Sequence, residues 1–360
     1  MIFKTYQNYL IKIFLQKVIL ISFIFFLISF ILNLFEEISF FKNIDKSFLF
    51  IILLTFMNTP SILFEIFPFI FLISTQFFFK ELIERNELEI LKYKGIDNFS
   101  IIRLIFLTSF ITGVLIILIF YNLSAKLKFT YLELKNVYAE DNKYLAVITE
   151  NGLWIKDKFN EKISIINSSK LDQNYLFDTS IVEFDKNFDL IRIIEAKKID
   201  ITRNNWVIFN PTISKDNKTL KMDGEFDFFS NFNKEKINSL FENLNSLNLT
   251  QIYSLYRDYD QLGYSTLEIK SHSYKLFTYP AYISIISLLS LIIMFNIKRN
   301  KPLIFHIILG ILISVIIYYI YYLINLLGIN GNMPINISSI LPLIILSLFI
   351  GVGLVRINEK

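Results

Sequence analysis

The chain has 360 residues, 36 Lys and Arg against 32 Asp and Glu, 54% hydrophobic residues and a mean hydropathy of +0.49. With several charge-free runs of about eighteen residues or more, it reads as an integral membrane protein of helical type. Cysteine is absent and His272 and His306 are the two histidines, which excludes disulfides, thiolate metal sites and a His-rich metal centre.

Taken in order, Val18–Phe35 is charge-free and follows Lys4, Lys12 and Lys17. It ends in Asn33-Leu-Phe-Glu-Glu rather than at a small-residue cleavage site, so it is expected to be a retained first span. Ser47–Phe79 is a second apolar region, interrupted by Pro60, Glu65 and Pro68. It predicts an interfacial helix leading into a span over Pro60–Phe79. A charged island, Glu81–Asp97, separates it from a third span over Leu104–Ala125.

From Lys126 to Lys275 charges recur every few residues and the apolar period becomes alternating. Strands are expected at Tyr144–Thr149, Gly152–Lys156, Lys162–Asn167, Ile181–Asp185, Leu190–Glu195, Lys198–Thr202 and Trp206–Asn210, suggesting a sandwich or jelly-roll-like domain. Lys234–Leu262 carries helical periodicity that returns the chain to the membrane. Leu276–Ile297 is the fourth span, ended by Lys298, Arg299 and Lys301. Residues 302–355 are charge-free and broken only by Gly328–Asn336, giving spans five and six. The fold class expected is therefore an α-helical membrane protein with six transmembrane helices. The domains run 1–125 (helices 1–3, with a cytoplasmic helix at 81–97), 126–275 (the β-rich insertion) and 276–360 (helices 4–6).

Counting basic residues sets the orientation. A cytoplasmic N-terminus places Lys4, Lys12, Lys17, Lys80, Arg85, Lys92, Lys94, Arg103, Lys298, Arg299, Lys301, Arg356 and Lys360 inside, against only Lys42 and Lys46 in the short outer loops. Both termini are then cytoplasmic and the β domain lies outside. That domain is nearly neutral, which argues against a nucleic-acid partner. No Gly-x-x-x-x-Gly-Lys-Ser/Thr, His-Glu-x-x-His or Gly-x-Ser-x-Gly occurs, so no nucleotide site, zinc site or catalytic serine is expected, and no cofactor.

Within the island, Glu81 and Arg85 are four apart and Glu89 and Lys92 three apart, as on a surface helix. Gly95 is well placed as the C′ residue that ends it. An ordinary inter-span loop is the simpler reading of the composition. Yet Asn86-Glu87-Leu88, Lys92 and Gly95-Ile96 resemble the Ser-Glu-Leu … Arg … Gly-Ile signature of the lipopolysaccharide-export permeases, the LptF/LptG family. Thr59-Pro60 with Phe67-Pro68, Gly152-Leu153-Trp154-Ile155-Lys156-Asp157, Asn205-Trp206 with Asn210, and Gly328 with Met333-Pro334 and Leu341-Pro342 resemble further motifs of that family in the same order. Asn86 replaces the usual Ser and Lys92 the usual Arg. The Leu153-Trp154 pair leans toward LptG.

The resemblance implies an inner-membrane permease half that pairs as an LptF–LptG heterodimer above a cytoplasmic LptB ATPase dimer. It extracts lipopolysaccharide and passes it to the LptC and LptA periplasmic bridge. The island would be the coupling helix, with Glu84, Arg85, Glu87, Leu88, Leu91, Lys92 and Gly95 as ATPase-coupling residues and Glu87 as the charged contact. Cations at the outer rim suit lipid phosphates, which makes Lys42, Lys46, Lys126 and Lys128 lipid-binding candidates; snorkelling lysines are the alternative. Glu65, the sole acidic residue between Lys46 and Lys80, is a further lipid-binding candidate, expected to line a cavity or to sit at the interface. Two rivals stay open, another ATP-driven lipid or lipoprotein exporter and a non-transporting scaffold. The former normally has four spans with its insert after the first.

Overall fold

The computed structural model describes residues 5–138, 153–159, 162–172, 174–186, 188–215, 218–234, 237, 243–262, 265–295 and 302–358. The expected strand Tyr144–Thr149 and the Lys298–Lys301 cluster lie outside them. By contacts the chain divides into two compact units. One comprises Met1–Tyr131, Asn245–Leu249 and Leu267–Lys360, and the other Leu132–Leu244 and Thr250–Thr266.

In the first unit, α1 (Thr5–Phe40) and α2 (Phe48–Glu84) are joined by a short turn, and the Ser47 side chain caps α2 by accepting the Phe50 amide. A short helix, α3 (Glu87–Tyr93), precedes α4 (Asn98–Leu115), which continues through a π-helical turn (Ile116–Tyr121) into α5 (Asn122–Asn136). After the β strands come α6 (Leu249–Leu262), α7 (Leu267–Phe295), α8 (Leu303–Ile329) and α9 (Ile335–Asn358). Among the described residues six helices are long and apolar enough to cross a membrane: α1, α2, the α4–α5 rod, α7, α8 and α9. The protein is thus a six-span, mostly helical protein with an antiparallel β insertion after the third span.

α2 is one helix rather than an interfacial segment followed by a span, although Pro60 and Pro68 lie inside it. Proline has no N–H to give the carbonyl four residues earlier, and lipid offers no water to replace it. For Pro68 that carbonyl belongs to Phe64, and the Tyr279 hydroxyl of α7 donates to it at 2.6 Å. The partner that keeps α2 continuous therefore comes from a helix more than two hundred residues away.

In α2 and α7 two-thirds of the most apolar window is buried, against 22–33% in the other four spans. These two are the centre of the bundle, and the others leave broad apolar faces toward lipid or a second chain. Helices in lipid associate through close packing and polar contacts rather than water exclusion. Accordingly, a Cβ on Gly113 of α4 would stand 2.9 Å from the Pro280 Cα of α7. The Ser109 hydroxyl donates to that of Ser287 at 3.1 Å, and Ser290 donates to the Leu72 carbonyl at 2.8 Å. α1 packs on α2 through Leu10, Phe14, Val18 and Ile21, with Phe14 edge-on to Phe71 and Phe78 at 6.2 and 5.8 Å.

The second unit is built on β1 (Leu153–Phe159), β2 (Lys162–Asp172), β3 (Tyr175–Phe184), β4 (Leu190–Asp200), β5 (Asn205–Phe209), β6 (Thr212–Lys215), β7 (Lys218–Lys221) and β8 (Glu225–Phe229). All pairings are antiparallel, with β1 to β4 in a meander and the order continuing through β5 to β8. The two strands expected over Leu190–Glu195 and Lys198–Thr202 are one, β4. It pairs with β5 at one end and β6 at the other. The break between those partners falls at Asn210-Pro211. Asn210 has φ 48°, its amide donates to Gly224 at 2.8 Å, and its Oδ1 accepts the Gly224 amide at 2.9 Å. Leu153, Ile155, Ile166, Ile181, Ile194, Ile199, Trp206 and Phe228 form the core, following the two-residue period of half-buried strands.

Candidate functional site

The charged island is not one helix. Its first four residues extend α2, and the chain then breaks at Asn86, whose φ of 57° is left-handed, a conformation Asn tolerates better than most residues. α3 follows over Glu87–Tyr93 and ends at Gly95, φ 80°. The Gly95 amide donates to Lys92 at 2.9 Å and the Ile96 amide to Leu91 at 3.0 Å, the paired bonds of a Schellman cap. Asp97 then opens α4 by accepting the Ser100 amide at 3.1 Å. Hydrogen bonding from the Ser100 side chain, with a smaller part from its amide, holds the Asp97 carboxyl below the usual aspartate range.

A polar network ties this hinge to α1. Lys17 of α1 pairs with Glu81, and Arg85 pairs with the other Glu81 oxygen at 2.9 Å. The Tyr9 hydroxyl donates to Glu87 Oε1 at 2.8 Å, with an Arg85 guanidinium nitrogen 3.9 Å from the same oxygen. Glu87 Oε2 is shielded from solvent and has no partner among the described residues. Glu84 pairs with Lys80 at 3.7 Å, one turn back on α2.

No residue of α3 is fully buried. Leu88 and Leu91 are half-buried, Lys92 is exposed, and Ile90 and Tyr93 are 50% and 89% exposed. Leu88 and Leu91, expected as coupling residues, lie on the less exposed side, whereas Ile90 and Tyr93, whose three-residue spacing marks the opposite face, were not among the expected residues. Nor was Tyr9, because nothing in the sequence links positions 78 residues apart.

At the other end of the bundle, Lys42 and Lys46 are exposed in the α1–α2 turn and Lys126 is exposed on α5. Lys128 is half-buried; it donates to Asn58 Oδ1 on α2 and sits 5.0 Å from the Tyr131 ring centre. Asn58 in turn donates to Asn33 Oδ1 of α1 at 2.9 Å, and Asn33 donates to the Thr55 carbonyl at 3.3 Å. Tyr131 donates to buried Glu37 of α1 at 2.7 Å. Asn33 and Asn58 are the polar interruptions that composition counts overlooked. Glu65 lies apart from these lysines: its Oε1 accepts the Asn245 side-chain amide at 2.8 Å, and it borders a cavity with Lys275 and several tyrosines.

A sequence model of the lipopolysaccharide export system permease family LptF/LptG matches residues 8–357. The chain belongs to the LptF/LptG family. The match spans both the helices and the β insertion and does not distinguish LptF from LptG. A comparison with curated proteins returned no match. As a member of this family the protein is an integral inner-membrane protein and a lipopolysaccharide export permease, a transporter component rather than an enzyme. Membership implies an Lpt export complex with a partner permease and other Lpt proteins.

The LptF/LptG-like motifs in the β insertion have structural jobs. Asp157 of β1 is buried and accepts from Ser230 Oγ at 2.7 Å, the Asn231 amide at 3.0 Å and the Asn231 side chain at 2.8 Å. It thereby joins the first strand to the chain leaving β8, the two ends of the strand order. Trp206 is fully buried, and its indole N–H donates to the Phe232 carbonyl at 2.6 Å. These positions hold the sheet together and leave the site elsewhere.

Proposed function

We propose that the protein is one half of an ATP-driven lipopolysaccharide export complex, paired with an LptF or LptG partner, driven by an LptB ATPase dimer and delivering lipid to LptC and LptA. Both termini and α3 face the cytoplasm and the β insertion faces the periplasm, as the distribution of Lys and Arg favours. The observation that carries this reading is α3. It is a short helix set off by a left-handed residue at each end, with Ile90 and Tyr93 exposed and Glu87 Oε2 unpaired among the described residues. Such a helix docks as a unit in a groove, its apolar side supplying contact area and its carboxylate meeting a basic residue of the ATPase. Arg85, Lys92 and Lys94 set its orientation. Glu84 braces the end of α2, and Gly95 fixes where α3 stops.

The ion network through Lys17, Glu81, Arg85 and Glu87 connects that dock to α1 and α2, so that movement of α3 is passed into two spans. At the outer side, Lys126 and Lys128 present cations to lipid phosphates at the rim, with Asn33 and Asn58 orienting Lys128, and Lys42 and Lys46, beyond the Phe48 end of α2, meet phosphates of lipid already drawn out of the leaflet. The β sheet ends in β1 on one side and in β8 and β7 on the other among the described residues, and an end strand of this kind accepts a strand from a bridge protein.

Purification of the full chain in mild detergent tests the reading. Recovery of a soluble ATPase and a second six-span chain supports it; recovery of the chain without an ATPase at any extraction strength sinks it in favour of a scaffold. Replacing Lys42, Lys46, Lys126 and Lys128 together by Glu is expected to lower photo-crosslinking of lipopolysaccharide several-fold, read from a crosslinker on α1. Unchanged crosslinking removes the rim lysines from the lipid path.

A further inference from the structure

Between α2, α7 and α8 lies a cavity of about 70 Å³ that the export reading leaves unused. It is bordered by Glu65, Lys275, Tyr279, Tyr282, Tyr318 and Tyr321, among others. Tyrosines at a membrane interface ordinarily point into the head groups. Here Tyr279, Tyr282 and Tyr321 are only 3%, 8% and 8% exposed, so they are turned into the protein instead. Tyr282 and Tyr321 stack with ring centres 5.1 Å apart, and Tyr279 is fixed by its bond to the Phe64 carbonyl. The wall is therefore rigid and aromatic. One Glu65 oxygen is held by Asn245. Among the described residues no ion pair joins Glu65 to Lys275, although both border the same space.

Depth follows from helix rise. Glu65, Lys275 and Tyr322 each stand about 20 residues, or about 30 Å, from the Glu84, Phe295 and Leu303 ends of their helices. That is one hydrocarbon thickness, which puts the cavity at head-group level. Its volume corresponds to about two waters at ~30 Å³ each, enough for an ammonium group and too small for a sugar ring.

We propose that this cavity binds a phosphoethanolamine head group. The ammonium enters among the tyrosine rings against the Glu65 carboxylate, the arrangement that recognises alkylammonium ions. The phosphate stays at the mouth on Lys275. A zwitterion matches two opposite charges that border one cavity without pairing. The assignment to the outer leaflet rests on the orientation proposed above, whereas the binding itself does not.

The head group is carried by ethanolamine phospholipids and by lipopolysaccharide decorated with phosphoethanolamine, and two arms separate them. The full chain is placed in nanodiscs of equal ethanolamine and glycerol phospholipid, and its retained lipid is counted by native mass spectrometry. In the second arm, nanodiscs of glycerol phospholipid carry lipopolysaccharide with or without the decoration. Enrichment of roughly fivefold is expected in at least one arm, falling to parity in Glu65→Gln and in Lys275→Met and persisting in the control Glu268→Gln. Enrichment in the first arm names a membrane lipid as the ligand, and enrichment in the second names the cargo. Parity in both arms, or enrichment that survives Glu65→Gln, overturns the proposal. Glu65→Gln is nearly isosteric and decides the matter if Lys275→Met does not fold. Because no ATPase is present, failure to recover an ATPase elsewhere would sink the export reading and leave this one standing.

Discussion

Glu87→Lys in the full chain is expected to abolish recovery of the ATPase and to weaken its binding by at least roughly thirtyfold, the cost of breaking a desolvated charge pair of about 2–5 kcal/mol. The geometry allows a sharper version. Glu87 has two oxygens with different surroundings, Oε1 on the Tyr9 hydroxyl and Oε2 shielded without a partner among the described residues. If the carboxylate swings off Tyr9 to meet a basic residue of the ATPase, Glu87→Gln should weaken binding substantially and Tyr9→Phe should not weaken it. If Glu87 merely braces α3 against α1, Tyr9→Phe and Glu87→Lys should do equal damage. Titration of purified ATPase onto the permease in nanodiscs separates these cases, and equal damage would remove Glu87 from the interface.

Trp206→Ala should destabilise the β insertion by about 3–5 kcal/mol, because it empties the space of a fully buried indole and strips the Phe232 carbonyl of its donor. Trp154, the other tryptophan, is 56% exposed and remains as the fluorescent probe in this variant. With a urea dependence of about 1–3 kcal/mol per molar, the unfolding midpoint of the full chain should fall by more than roughly 1 M. Trp206→Phe keeps most of the packing and loses only the N–H, so its fall should be much smaller. A midpoint for Trp206→Ala that matches the parent would contradict the core described for this sheet.

Much of the fold was legible because lipid imposes a simple rule: a span must avoid charge for about 20 residues, and charge-free runs are easy to see. The continuity of α2 was not, since Pro60 and Pro68 argue locally for breaks and the hydroxyl that repairs one of them comes from Tyr279. The break at Asn86 was missed for the opposite reason. Asn reads as an acceptable helix residue, and only its left-handed φ shows the hinge. In the β insertion, Ala196 and Lys197 were left out of both expected strands, yet β4 runs through them, paired with β3 on either side, and only its other partner is interrupted, at Asn210-Pro211. β6, β7 and β8 are four to five residues long and β7 is wholly exposed, so no alternation announced them.

The candidate site divides in the same way. Gly95 was readable as a helix stop because the chemistry is local, and its φ and paired hydrogen bonds have the form expected. Contacts of Glu87 with Tyr9, of Lys128 with Asn58, and of Glu65 with Asn245 depend on helices meeting, which no window of sequence contains. The tyrosines around Glu65 are spread over α7 and α8, and each alone looks like an ordinary interfacial residue.

This chain is expected to move lipopolysaccharide when an ATPase acts on α3. The most direct test is release of lipopolysaccharide from proteoliposomes containing the chain, its six-span partner and the ATPase, with a periplasmic acceptor outside. Release is expected to require ATP and to disappear with Glu87→Lys while the isolated ATPase still hydrolyses ATP. Release that continues without ATP, or at full rate with Glu87→Lys, would contradict that expectation.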